Sequence, residues 1–379
     1  MKAMKKKRKL IMIALFPPPF SSGERMLNLI NREILTKDMD VVSFNVSSGK
    51  LLPGNFSWDR IKSQLKTMYL YIVACQKTLR LLHKEPIDSL YLVTPGSKLG
   101  HIRDSIILSL IGSKIPLKVA FIQNGHIDKV FTRAWHSYFT RHFINRCQYF
   151  VFTSKGLMDK VKTIPIEKKV CLPNSIDEVL SFTEEECLIK RNRPFPHTIR
   201  LLYLSNLTPS KGYMDFSNAI VSLHKMGVSI TADVVGEWLT KEQEEQYLEF
   251  LESNQIKHLV SVHGKIHDRS RIRSFFQEAT FFILPTYFSH EAQPVSIIEA
   301  LNAGVPVIST YHASIPEMID SGIEGVLVPI KTPAGIVEAV KEYGVSSKWQ
   351  EMSKRARLRF EKQFSREAYT KSLLQIFCN

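Results

Sequence analysis

The chain has 379 residues, of which 44% are hydrophobic and 23% charged, with a formal net charge of +15. That length favours two domains, each large enough to bury its own core, and the composition excludes general disorder and a membrane-spanning helix. Cys75, Cys147, Cys171, Cys187 and Cys378 are scattered without paired or ligand-like spacing. Neither a disulfide framework nor a zinc site is expected, and they read as small buried or incidental residues of a reducing cytosol.

The positive charge begins at once, with Lys2, Lys5, Lys6, Lys7, Arg8 and Lys9 before any acid. Nucleic acid, an anionic membrane face and phosphorylated substrates all suit such a charge. Leu10-Ile-Met-Ile-Ala-Leu-Phe16 follows. A basic start before an apolar run also opens signal peptides, but Pro17-Pro-Pro19 stands where the small residues of a cleavage site belong. The segment reads as a buried first strand entering a Pro/Gly loop, where Gly23 after Ser22 either lets the backbone approach a ligand at the next helix start or simply makes a strand-to-helix turn. Asp38-Met-Asp40 matches a metal-diphosphate signature, but the acids precede a strand instead of following one, so they read as a polar helix-to-strand turn.

Strands are expected near 10-16, 40-45, 89-93, 117-122, 148-153 and 169-172, with helical patterns between them, the alternation of parallel βαβ units. If Asp59 to Glu85 is one helix, Lys62, Lys66, Lys77, Arg80 and Lys84 share about a 60° arc. Ile61, Leu65, Met68, Ile72, Leu79 and Leu82 form an apolar stripe beside it. That pairing suits an anionic bilayer surface, and a simply solvated basic face suits it equally. Aromatic and basic residues are not interleaved in any nucleic-acid reader pattern, so nucleic acid is not an expected partner.

A second strand series is expected near 199-204, 230-235, 259-263, 281-284, 306-308 and 325-328. Between the series, Asp177 to Thr198 carries charge runs and no strand-like stretch, so the domain boundary belongs there. In the second series, Lys211-Gly212 follows the first strand. Pro294 can take the first turn of a helix with Gln293 near its N-cap, so the amides of Val295 and Ser296 face a ligand with the positive end of the dipole. Glu291 precedes that helix and Glu299 lies within it, so the two carboxylates touch different parts of one ligand.

Glu291-Ala-Gln-Pro-Val-Ser-Ile-Ile-Glu299, Ala303-Gly304-Val-Pro306-Val, Ile315-Pro-Glu317 and Gly325-Val-Leu-Val-Pro329 resemble, in order and spacing, the second-domain motifs of family 4 of the retaining glycosyltransferases. Pro173-Asn174-Ser-Ile-Asp177 and Val235-Gly236-Glu237 extend the likeness. The resemblance implies an α/β GT-B fold of two Rossmann-like, doubly wound parallel-sheet domains facing across a cleft. The implied limits are 1-178 for an acceptor-side domain, 179-197 for a linker, 198-358 for a donor-binding domain and 359-379 for a helix packing back on the first domain. Phe360, Phe364, Tyr369 and Leu373-Leu374 are the expected anchors of that tail.

The resemblance further implies catalytic roles for Glu291, on the donor-sugar hydroxyls, and Lys211, on the diphosphate. It implies donor contacts at Glu299 (ribose), Gln293, Val295, Ser296, Gly236, and the backbone of Lys265 and Ile266 (nucleobase). Asn206 stands where the family has arginine, and Gln123 or Asn124 where it has a histidine reaching the donor sugar, with His126 slightly beyond. Ser22, Gly23, Gln123, Asn124 and His126 form the acceptor-side loops. The implied activity is metal-independent transfer from a UDP-, GDP- or ADP-sugar co-substrate, with no cofactor, to a lipid-linked or oligosaccharide acceptor in surface polysaccharide or lipopolysaccharide biosynthesis. The implied place is the cytoplasm, peripheral on the inner face of an anionic membrane. A nucleotide-sugar epimerase of the same fold and a non-catalytic basic scaffold are the alternatives.

Overall fold

The computed structural model describes residues 7–17, 23–47, 58–94, 98–125, 127 and 137–378. The chain forms two compact units, one of Met1–Pro173 with Glu367–Asn379 and one of Asn174–Arg366.

The first unit is built on a parallel sheet of β1 (Lys9–Ala14), β2 (Asp40–Asn45), β3 (Ser89–Thr94), β4 (Leu117–Ile122), β5 (Tyr149–Phe152) and β6 (Lys169–Cys171), in the order β2-β1-β3-β4-β5-β6. β1, β3 and β4 are buried almost throughout, as parallel strands covered on both faces by helices must be. The polar turn before β2 is structural: Asp40 pairs with Lys9 of the neighbouring strand at 3.0 Å.

The second unit repeats the architecture with β7 (Ile199–Leu204), β8 (Ile230–Val235), β9 (Val260–Gly264), β10 (Phe281–Leu284), β11 (Val307–Thr310) and β12 (Gly325–Val328), in the order β12-β11-β10-β7-β8-β9. The chain winds outward from β7 through β8 to β9, then returns to place β10 on the other side of β7. Loops after β7 and β10 therefore leave the sheet at a topological switch point, where open α/β sheets bind ligands.

Two boundaries differ from the sequence reading. Residues 179-197 are part of the second unit instead of a free linker: Leu180, Phe182 and Cys187 enter its core, and Thr183 and Glu186 close a capping box on the Glu184–Asn192 helix. The tail divides later than 359. Phe360 and Phe364, from the Ser346–Gln363 helix and its C-cap, join the second core. Tyr369, Leu373, Ile376 and Phe377, from the Arg366–Cys378 helix, join the first. Aromatic stacking explains the second destination, since the Phe377 ring lies parallel to Phe121, which stacks on Tyr91 at 4.1 Å.

The long helix of the first unit runs Trp58–Lys84. Its buried face is Tyr71, Ala74, Cys75 and Thr78. Of the expected apolar stripe, Leu65, Met68 and Ile72 face solvent together with Trp58 (74% exposed) and Tyr69 (63%), whereas Ile61, Leu79 and Leu82 are half-buried. Lys62, Lys66, Lys77, Arg80 and Lys84 are exposed beside that ridge. Among the described residues no helix is long and apolar enough to cross a membrane.

Candidate donor site at the switch point of the second sheet

Two glycines draw the loops of the second sheet together. Gly212 follows a 3₁₀ turn at Pro209–Lys211 and adopts φ 79°, and a Cβ there would lie 2.2 Å from the Pro285 carbonyl oxygen. Any other residue would push the β7 loop off the β10 loop. Gly236, after β8, approaches the Ser205 carbonyl so closely that a Cβ would meet it at 1.8 Å.

The β10 loop is clamped from both sides. The Tyr287 amide donates to the Ser210 carbonyl of the β7 loop (2.8 Å), while Thr310 Oγ1 donates to the Thr286 carbonyl (2.5 Å) and His312 Nε2 to the Phe288 carbonyl (2.9 Å). The amide of Phe288 donates to Thr286 Oγ1, and Glu291 N to Phe288 O, which tightens the turn.

That turn delivers Glu291 to Lys211. The ammonium lies 2.5 Å from Glu291 Oε2 and 4.9 Å from the Phe288 ring centroid, with side-chain exposures of 15% for the lysine and 9% for the glutamate. Thr286 Oγ1 approaches the same carboxylate oxygen at 3.4 Å. The buried phenol of Tyr203, its ionisation strongly disfavoured by burial, donates to the Lys211 carbonyl and supports the turn from below.

The helix after Glu291 spans Val295–Asn302, with Pro294 as its N-cap instead of its first-turn residue. No side chain caps it, so Val295 and Ser296 present the first amides of the helix without a helical acceptor. Gln293 is not a free donor contact: its Oε1 accepts from the Asn174 amide (2.6 Å) and its carbonyl accepts from Asn174 Nδ2 (3.1 Å). Asn174 thus fixes the approach to the helix.

Glu299 is buried and accepts from Arg269 (3.0 Å), whose Nε lies 3.4 Å from Asp177. Burial raises the Glu299 carboxyl above the ordinary range, and Arg269 opposes the rise. Lys265 pairs with Glu237 at 2.6 Å, and Ile266 packs half-buried against the second core. Asn206 is exposed, and its carbonyl accepts from Thr208 N.

In the first unit, Gly23 opens the Gly23–Asp38 helix. Gln123 Nε2 reaches Asn28 Oδ1 at 3.4 Å, at one end of a buried chain in which Tyr369 donates to Asn31, Asn31 to Tyr91, and Tyr91 to Asn28. The Asn124 carbonyl accepts from Ile127 N. Ser22 and His126 lie outside the described residues. No group of three or more His, Cys, Asp or Glu side chains able to hold a metal occurs among the described residues.

The structure thus joins Lys211 to Glu291 and sets Glu299 on a separate partner. Sequence reasoning missed Thr286, Phe288, Thr310, His312 and Arg269, which hold them, and named Asn174 and Asp177 only as motif residues. The hydroxyl residues at the strand exits were the available signal, since Ser and Thr beside a strand end often bond to backbone.

Residues 198–343 match the family model described as glycosyl transferases group 1. That match lies wholly within the second unit. A putative colanic acid biosynthesis glycosyltransferase, WcaL, of Salmonella typhimurium is 24% identical to this chain over 186 residues, 47% of this chain and 44% of WcaL. The chain therefore spans under half the length of these curated relatives. Among solved structures, sucrose-phosphate synthase from Thermosynechococcus elongatus shares the fold at a TM-score of 0.74 and 12% identity, over 98% of both chains. Anabaena HepE, solved in complex with UDP and glucose, shares it at a TM-score of 0.69 and 13% identity, over 98% of this chain and 100% of HepE. The Lys211–Glu291 pair and the Val295–Asn302 helix both fall inside the group 1 segment.

Proposed function

We propose that the protein is a retaining glycosyltransferase that moves a sugar from a nucleoside-diphosphate donor to a lipid-linked or glycan acceptor in surface polysaccharide biosynthesis. The observation that carries this reading is the Lys211–Glu291 pair at the switch point of the second sheet, beside the uncapped amides of Val295 and Ser296. As the glycosidic bond breaks, the leaving diphosphate gains charge, and a lysine with helix-end amides supplies fixed stabilisation without a metal. An entering diphosphate competes with Glu291 for the ammonium. The carboxylate it releases then accepts hydrogen bonds from donor-sugar hydroxyls. Glu299, its rotamer fixed by Arg269, takes the ribose hydroxyls. HepE with its bound UDP and WcaL with its name in polysaccharide biosynthesis support the donor class and the pathway class.

The acceptor side brings in the membrane. Trp58, Leu65, Met68, Tyr69 and Ile72 form an exposed apolar ridge flanked by exposed lysines and an arginine. Such a helix lies in the headgroup region of an anionic bilayer, where a lipid-linked acceptor is met.

One observation favours a scaffold without activity: Lys211, Lys265 and Arg269 are each already paired with a carboxylate. Titration with UDP-, GDP- and ADP-sugars separates the readings. The transferase binds at least one, hydrolyses it slowly in the absence of acceptor, loses the hydrolysis in Lys211→Ala and loses affinity in Glu299→Ala. Binding to none of the three classes sinks the claim, and an epimerised product assigns the fold-sharing alternative instead.

A further inference from the structure

The backbone register between β10 and β11 ends at the pair Leu284–Ser309, yet the two segments stay joined beyond it. Side chains carry the ladder on. Ser309 Oγ donates to the Leu284 carbonyl (2.6 Å), Thr310 Oγ1 to that of Thr286 (2.5 Å), His312 Nε2 to that of Phe288 (2.9 Å) and Ser314 Oγ to that of Ala292. Four donors from the exit of β11 thus occupy four carbonyls along the loop that carries Glu291. Ser309, Thr310 and Ser314 are buried, and His312 is half-buried.

The segment that supplies them is strained. The Ile315 amide donates to the His312 carbonyl (3.1 Å), closing a turn in which Ala313 has φ 51° and Ser314 has φ −89° and ψ 0°. Those angles match a type II′ turn, in which the place Ala313 holds belongs to glycine. An alanine keeps such a conformation only where its surroundings over-determine it, and the side-chain bonds of His312 and Ser314, on either side, do so.

The His312 rung reaches both charges of the donor site. The Phe288 carbonyl accepts from His312 and from the Glu291 amide (2.9 Å each), which fills both its lone pairs, and the Phe288 ring centroid lies 4.9 Å from the Lys211 ammonium. A shift of Phe288 therefore moves the anchor of the carboxylate and the ring contact of the lysine together. We propose that His312 is a positioning residue of the donor site, which acts through Phe288 to hold Glu291 where it meets the donor sugar once a diphosphate has taken the ammonium. The proposal rests on the transferase reading. Lys211 and the amides of Val295 and Ser296 still meet the diphosphate without His312, so its loss falls on the sugar end of the donor.

The test uses the full chain and two readouts. Without ligand, the 286–294 segment of His312→Ala exchanges its amide hydrogens about three- to tenfold faster than in wild type, the range of one lost hydrogen bond. In His312→Gln, whose side-chain amide can donate to the same carbonyl, exchange stays within about twofold of wild type. With the nucleotide sugar that wild type hydrolyses, His312→Ala lowers kcat by about tenfold or more, as a misplaced group does, while the Kd for UDP stays within about threefold. His312→Gln recovers most of that kcat. His312→Leu, which keeps the bulk and lacks the donor, behaves as His312→Ala and replaces it should the alanine variant not fold. A kcat within about twofold of wild type in the alanine and leucine variants, unchanged exchange of the segment, or an equal fall in kcat and UDP affinity that glutamine does not recover overturns the proposal. A wild type that binds no UDP, GDP or ADP sugar overturns the transferase reading, and the exchange comparison still decides whether His312 holds the loop.

Discussion

The Lys211–Glu291 pair makes opposite demands on stability and on ligand binding, and these can be measured apart. In Lys211→Ala, Glu291 is left 9% exposed with only Thr286 nearby at 3.4 Å. Breaking a buried pair from one side costs about 3–5 kcal/mol, and the lysine's place at the site edge brings the expectation to about 2–3 kcal/mol. For a domain of this size that is a fall in Tm of roughly 5–10 °C for the second unit. Glu291→Gln costs less, about 1 kcal/mol, because the lysine stem can carry its charge to water.

The double variant Lys211→Met/Glu291→Gln removes both charges and stays within about 1 kcal/mol of wild type. Affinity runs the other way. Glu291→Gln leaves Lys211 with no carboxylate to surrender, so UDP alone binds it several-fold more tightly than wild type, whereas both lysine variants bind UDP more weakly. Calorimetry of the second unit's transition and UDP titration read the two effects. The reasoning is refuted if Lys211→Ala is as stable as the double variant, or if Glu291→Gln binds UDP no better than wild type.

The exposed ridge and basic stripe of the Trp58–Lys84 helix predict sedimentation with phosphatidylglycerol vesicles but not with phosphatidylcholine vesicles, weakened by salt and lost when Trp58, Leu65 and Ile72 become serine; unchanged sedimentation of that variant removes the membrane from the proposal. Asp104 is buried beside Arg103 (2.7 Å), with its Oδ2 unbonded, and burial raises its carboxyl to about 6. A raised acid holds its proton in the folded state where the unfolded chain has lost it, so its contribution is fully present below about pH 4 and is lost as the pH rises through about 6. Asp104→Asn therefore gains on wild type by up to about 2–3 kcal/mol between pH 4 and pH 7, and parallel pH dependences of the two proteins in that window would falsify the assignment.

Much of the fold was legible because parallel strands declare themselves. β1, β3, β4 and β10 are short apolar runs set between helical patterns, and every expected strand occurs within about two residues of its place. Glu291, Lys211 and the helix start were legible because a proline, a Lys-Gly pair and two acids occur at fixed offsets around strand ends. Pro294 still moved, from the first turn of the helix to its N-cap, a shift within the ordinary uncertainty of helix ends.

The sequence by itself thus determined the alternation that makes two parallel sheets, and the chemical types gathered at their carboxyl edges, because both depend on local periodicity and on residues near one another in the chain. Only the tertiary structure decided which side chains meet. Lys211 finds Glu291 because β10 returns beside β7, and Gln293 is occupied by Asn174 because the segment after β6 reaches the β10 loop. Glu299 pairs with Arg269 across 30 residues. The tail divides between Phe364 and Tyr369, which join different cores, a long-range choice that no spacing along the chain encodes.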